Sequence, residues 1–492
     1  MNTRWDPAQS AEHVVQAVGV RPVEAMAYAT SWAARLVTDN GQAVFPAAHQ
    51  WLRQHQHADG SWGSVIPQPH DRLVSTLAAV LALYDVQQAW AQRAVRAGVT
   101  YLRRHGRDWQ GAPGETIGFE VVAPCLVEEA TSWGLLSAEG FSELAALRCD
   151  KLSLIPTATL IHRPTPLLYS MEALANIAPL RMFAPHASLS GAMADNPAAT
   201  AALWAATGDV AALSYLHEAA HSTGGAGMPE TYPIDVFEPA WVLYVLHRAK
   251  LTPPNAKQHV ERLAQLARKA GRGLGISESF PVPDSDDTAM VANVLNAYGH
   301  SDSSLLEALL SFETDTHFAG FPHERGAPVS ANARILEALT RHSDQYAPQL
   351  AKILSFLLDT RQEGAWWTDK WHRSPHYATA QVAFALANTV PHELTGTWQW
   401  LLDSQHTHGA WGIAGGQPEE TAYAVLALDS MEPHLGPAPA DTYRHAHTYL
   451  RQHLNTPTYA ELWVGKGLYT PATVVRAAIL AACTLSDRKA AS

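Results

Sequence analysis

Three aspartates, Asp284, Asp286 and Asp287, crowd into four residues of the segment SFPVPDSDDTAMVANVL, directly ahead of an apolar stretch of helical period. Like charges this close, once buried, raise one another's pKa above the ordinary aspartate value of about 3.9, so one carboxyl can keep its proton near neutrality. A cluster that shares a proton in this way is a usable general acid. A lone aspartate here would read as a helix N-cap, favoured by capping and by the macrodipole. Three of them after Phe-Pro-Val-Pro exceed what a cap requires. Metal binding is the other use of such clusters, but no DDxxD occurs elsewhere in the chain and no second metal-partner motif accompanies this one.

Helices must position these groups. Apolar residues recur at three- and four-residue spacing in VSTLAAVLALYDV (74–86), FEVVAPCLVEEATSWGLL (119–136), AMVANVLNAYG (289–299), AQVAFALANTV (380–390) and ETAYAVLAL (420–428), which is the helical period. Gly/Pro-rich connectors separate them, and no run of alternating strands appears, so the expected fold class is all-α. One element repeats: QHADGSWG at 56–63, RQEGAWWTDKW at 361–371 and SQHTHGAWG at 404–412, each a Gln, then Gly, then Trp, between two helices. The expectation is a repeated helix pair whose turn uses the Gln amide to cap a neighbouring helix end and the Trp to shield it.

Composition bounds the rest. At 492 residues the chain exceeds what one core of about 250–300 residues holds, which implies two domains. A hydrophobic share of 47% against 16% charged residues places it among folded globular proteins. The formal charge of −12 argues against nucleic acid as a partner, since that binding needs clustered Lys and Arg. Cys125, Cys149 and Cys483 are odd in number and widely spaced, suggesting neither a disulfide framework nor a cysteine zinc site. The N-terminal stretch has no charged leader with an apolar core, and no run approaches the roughly 18 apolar residues needed to span a bilayer. The expected location is cytoplasmic, not integral to a membrane.

The segment DSDDTAM resembles the DxDD motif of class II terpene cyclases, and the Gln/Gly/Trp turns are similar to that superfamily's QW motifs. The resemblance runs almost end to end: WLRQHQHADGSWGS, GFEVVAPCLVEEA, PTPLLYSMEAL, TYPIDVFEPAW and LWVGKGLYTP look like landmarks of the copalyl diphosphate synthase branch. It implies two α/α-barrel domains, β from residues 1–18 and 221–492 and γ from residues 19–220 inserted in it, with the active site between them. It also implies a magnesium-assisted, protonation-initiated cyclisation of a prenyl diphosphate that keeps its diphosphate. Geranylgeranyl diphosphate would give a bicyclic labdane- or clerodane-type product, farnesyl diphosphate a drimenyl-type one, and a homodimer is compatible with the family.

By this resemblance Asp286 is the general acid, Asp284 and Asp287 tune it, and Asn332 in VSANARILEAL hydrogen-bonds it and turns its proton toward the alkene. The carbocation would be sheltered by aromatic faces, for which Tyr169, Trp366 and Trp367 are candidates. Glu115 in GETIGFE matches the acidic magnesium-associated position, in a shortened form. Lys151 and Lys466 match basic positions near the diphosphate, with Lys370 and Arg72 as further candidates. Read without the family, a lone helical Asn is a capping or solvated residue and a Lys a surface one.

Two positions depart from the plant enzymes that make ent-copalyl diphosphate. Where those have a His and an Asn that place the terminating water, this chain has Tyr169 in LLYSMEA and Glu230 in MPETYPID. A different terminating group lets the cation end as another stereoisomer, a rearranged skeleton or a hydroxylated product. Two other classes fit these residues less well. A protein prenyltransferase subunit needs a Cys-containing zinc site that this chain lacks, and a non-catalytic isoprenoid-binding barrel would have no use for the DSDD acid.

Overall fold

The computed structural model describes residues 5–300, 302–322 and 324–490. Helices apolar on every side have to be surrounded by others, and the chain contains many: Pro375–Leu386 buries every residue from His376 to Leu386, and Pro418–Leu435 every residue from Pro418 to Leu428. Six inner helices, Phe237–Arg248, Ser285–Ala297, Val329–Thr340, Pro375–Leu386, Pro418–Leu435 and Ala472–Ala490, each pack on the next, and the last packs on the first to close a ring. Amphipathic helices surround it; Ala256–Ala270 turns Val260, Leu263, Ala264 and Ala267 inward and leaves Lys257, Glu261 and Arg268 in solvent.

A second ring is closed by Ala27–Ala34, Pro69–Leu83, Phe119–Ser132, the 3-10 segment Pro166–Leu174 and Pro197–Thr207. The fold is therefore two α/α-barrels, each with its own apolar core. One core gathers residues 11–23 and 234–485 and the other residues 26–228. The cores exchange at 23–26 and 228–234, and the helix Val210–Ser222 packs Tyr215, Leu216, Ala219 and Ala220 on the second core.

The Trp-bearing turns share one geometry. Trp62, Trp367 and Trp411 are fully buried, each indole donates to a carbonyl ten residues upstream, and each backbone N–H donates to a threonine hydroxyl on the following inner helix. Gln56 and Gln405 donate to carbonyls of Ala94 and Thr442, within the first two turns of the next outer helices and not at an orphaned end. In the middle turn Arg361 takes the glutamine's place and reaches the carbonyl of Glu393.

Among the described residues the only strands form one antiparallel hairpin, Trp463–Val464 with Leu468–Tyr469. It carries the chain from the first barrel into the second, where the carbonyl of Gly465 accepts from the N–H of Ile117. At both corners the hairpin passes close to side chains of the neighbouring segments. A Cβ on Gly465 would lie 2.4 Å from the Glu230 carboxyl carbon, and one on Gly467 would lie 2.5 Å from the Met26 methyl.

Candidate active site

Between the barrels lies a cavity of about 710 Å³. The first barrel lines it with Phe237, Phe280, Phe321 and Trp371, the hairpin with Trp463 and Tyr469, and the second barrel with residues 114–120 and 166–170. At one wall the DSDD segment begins the helix Ser285–Ala297. Asp284 is the N-cap, its carboxylate accepting from the N–H of Asp287 at 2.7 Å, so the capping use is realised by one aspartate of the three. That leaves Asp286 and Asp287 in the first helical turn, with all three carboxyls on the cavity wall. Burial, opposed by hydrogen bonds, raises Asp284 to about 7. Asp287 is pushed up by burial and then by Asp284. Asp286 rises to about 6, driven by burial and by Asp369 and Glu324 against the pull of Arg334.

The partner of Asp286 is an arginine that sequence reasoning passed over. Arg334, one turn into the helix Val329–Thr340, places Nη1 on the Asp286 carboxylate and Nη2 on the Tyr377 hydroxyl. Asn332, two residues earlier, was expected to hold the acid and does not. Its amide accepts from the N–H of Phe318 at 2.9 Å and donates to the carbonyls of Phe318 and Pro328 at 2.8 Å. Those bonds brace the loop whose Gly320 carbonyl accepts from the N–H of Ser285. A step of two residues along the helix decides the exchange, since residues two apart point to different sides.

No family model matches the chain. Over 487 residues it is 32% identical to a type B diterpene cyclase of Mycobacterium tuberculosis, covering 94% of this chain and 96% of the relative. The chain belongs to the class II diterpene cyclases. The cyclase is also 32% identical to an ent-copalyl diphosphate synthase of a Streptomyces species (90% and 88% covered) and 33% identical to a labda-7,13-dienyl diphosphate synthase of Streptomyces clavuligerus (89% and 85%). Its structure superposes on ent-copalyl diphosphate synthase from Streptomyces platensis with a TM-score of 0.82 at 29% identity, covering 98% of this chain and 99% of the other. Both barrels take part in these matches.

Around the cyclase's cavity the other expected residues divide. Tyr169 lines it, and its hydroxyl donates at 2.8 Å to Glu230, which sits fully buried behind it. Burial raises Glu230 to about 7 against the opposing Lys466. Three ion pairs gather on the lining: Lys151 with Glu120 at 3.1 Å, Arg325 with Glu115 at 3.2 Å and Lys370 with Glu324 at 2.6 Å. Burial pushes the Glu115 carboxyl upward, partly offset by Arg325. Glu120 carried no signal in sequence beyond lying near Glu115, and Glu324 and Arg325 carried none.

Four expected residues are elsewhere. Trp367 is the core tryptophan of its turn and Trp366 stacks outward on Trp400, so neither lines the cavity. Arg72 is buried inside the first Trp-bearing turn, bound to Ser61 and to the carbonyl of Ser64. Lys466, carried inward by the Gly465–Gly467 hairpin, is completely buried on Glu172, the Asn196 side chain and the Tyr169 carbonyl. A cation already satisfied by three acceptors ties the barrels together and is withdrawn from the cavity lining.

Proposed function

We propose that Asp286 protonates the terminal alkene of geranylgeranyl diphosphate and that two ring closures follow, leaving a bicyclic diterpenyl diphosphate whose C–O bond to the diphosphate is never broken. The observation that carries this reading is a half-buried carboxyl, its pKa raised, on the wall of an aromatic cavity. The alkene's π electrons take the Asp286 proton, a tertiary cation forms, and successive alkenes close on it. Faces of Phe237, Phe280, Phe321, Trp371 and Trp463 are suited to shelter that charge without reacting. The cavity volume falls within the roughly 300–1,000 Å³ typical of small-molecule sites. Farnesyl diphosphate is the shorter alternative.

The diphosphate belongs at the ion-paired side, with Lys151, Lys370 and Arg325 as its cations. Magnesium is held by one or two carboxylates together with substrate phosphates, and Glu115 with Glu120 is a donor set of that kind. The ion would offset diphosphate charge there. Loss of a proton from the final cation is proposed at Tyr169, whose own proton passes to Glu230 as the phenol oxygen accepts one from carbon. These roles rest on position and chemistry together.

Incubating the protein with geranylgeranyl and farnesyl diphosphates plus magnesium, removing phosphate and identifying the alcohols by mass spectrometry and NMR tests the reading. Bicyclic alcohols are expected. Release of free pyrophosphate, or recovery of unchanged linear substrate, would sink it.

A further inference from the structure

Asp286 faces an unusual neighbour for a group that must carry a proton. The Arg334 side chain is 1% exposed, and a guanidinium stays charged at any pH a protein meets. Besides Asp286 and the Tyr377 hydroxyl, it lies 4.9 Å from the ring centre of Trp241. Other charged or titratable groups act on the pair from every side: Asp284 and Asp287 on the acid's own helix, Tyr244 and Tyr377 on neighbouring inner helices, and Asp369 and Glu324 on the loops. While Asp286 is protonated, the arginine's charge has only aromatic faces and more distant carboxylates to balance it. Once the proton leaves, a buried, hydrogen-bonded ion pair forms. The interaction is therefore stronger after proton transfer than before it, which is the condition for lowering a barrier.

We propose that Arg334 is the positioning residue that turns Asp286 into a working acid: it occupies Oδ1, leaves the transferable proton on the other carboxyl oxygen, and neutralises the carboxylate formed when the alkene takes that proton. This rests on the assignment of Asp286 as the acid. The step balances without a further reagent. The O–H bond of Asp286 breaks, a C–H bond forms at the alkene, and the positive charge appears on carbon while the new negative charge is met by the guanidinium. A neutral amide in this place could orient a proton but could not meet that charge, and the Asn332 amide is in any case bound to Phe318 and Pro328.

The test compares Arg334→Gln, Arg334→Lys and Tyr377→Phe with wild type across pH, using geranylgeranyl diphosphate and following kcat and KM separately, with circular dichroism to verify folding. Arg334→Gln should lower the maximal kcat about 100-fold, within the usual span of proton-transfer catalysis, and move the kinetic pKa of the acid upward while KM stays within about twofold. Arg334→Lys should recover at least tenfold of that loss and return the kinetic pKa toward wild type. Should Arg334→Gln fail to fold, Tyr377→Phe decides, because loosening the guanidinium should lower kcat several-fold at constant KM. A folded Arg334→Gln with the wild-type kcat and pH profile, an Arg334→Lys as impaired as Arg334→Gln, or a Tyr377→Phe with unchanged kcat would overturn the proposal. Asp286→Asn, assayed alongside, separates the two ideas: residual cyclisation there removes the acid assignment itself, whereas an inactive Asp286→Asn with a normal Arg334→Gln removes only the role of the arginine.

Discussion

The Tyr169 hydroxyl reaches from the cavity wall to Glu230 at 2.8 Å, so a carboxylate with no face on the cavity is joined to it through one phenol. The pair spans the two sides of the barrel junction, with the hairpin N–H of Lys466 also donating to Glu230 at 2.8 Å. Tyr169→Phe and Glu230→Gln should each redistribute the products, toward alternative alkenes or hydroxylated diphosphates, while substrate is still consumed within a few-fold of the wild-type rate. Gas chromatography of the dephosphorylated products reads this directly. An identical product profile in both variants would remove the pair from the terminating step.

Asp286→Asn keeps the shape and loses the proton. Cyclisation should fall by at least about 10³-fold, in the upper range for removing a general acid, while the fold persists. The buried acids also set a pH dependence of stability. Their folded pKa values, about 6 for Asp286 and about 7 for Asp284, lie above the ordinary 3.8, so the folded chain holds protons that the unfolded chain has released. By linkage, stability is greatest below about pH 4 as far as these groups are concerned and declines as pH rises through 6 to 7. Urea denaturation between pH 5 and 8 should show a shallower decline for Asp286→Asn than for wild type.

Arg325 and Glu115 come from different barrels and meet at 3.2 Å. Arg325→Ala should raise KM for the prenyl diphosphate about tenfold, the scale of one charge-assisted contact, with kcat little changed. Glu115→Gln should instead raise the magnesium concentration needed for half-maximal rate. Equal KM for wild type and Arg325→Ala would place the diphosphate elsewhere.

Lys466→Met leaves Glu172 buried without its cation, a loss that costs about 3–5 kcal/mol when one member of a buried pair is removed. Thermal and urea denaturation should show it, and adding Glu172→Gln should recover part of the loss. A Lys466→Met protein of unchanged stability but greatly raised KM would return this lysine to the diphosphate.

Much of the architecture was legible in the residues themselves. Helical periodicity marks the inner helices because a segment apolar on all sides has no other stable place, and Asp-Ser-Asp-Asp before such a segment announces both a cap and an acid because helix N-termini and crowded carboxyls obey local rules. The Gln/Gly/Trp turns were legible for the same reason: the hydrogen bonds of each tryptophan span only 10 to 14 residues, although the glutamine side chains reach 37 to 38 residues along the chain. Convergence across long separations was not. Nothing local says that Arg334 and not Asn332 turns toward Asp286, since that choice depends on how two helices 48 residues apart are rotated about their axes. Likewise Lys466 reads as a surface cation until two glycines let its hairpin pass within van der Waals contact of the second barrel, and Trp366 reads as a cavity aromatic until its turn faces outward onto Trp400. The sequence determined which helices form and where the three carboxyls crowd together; tertiary packing alone decided which charges those carboxyls meet, because electrostatics in a low-dielectric interior depends on distances that only the closed barrels set.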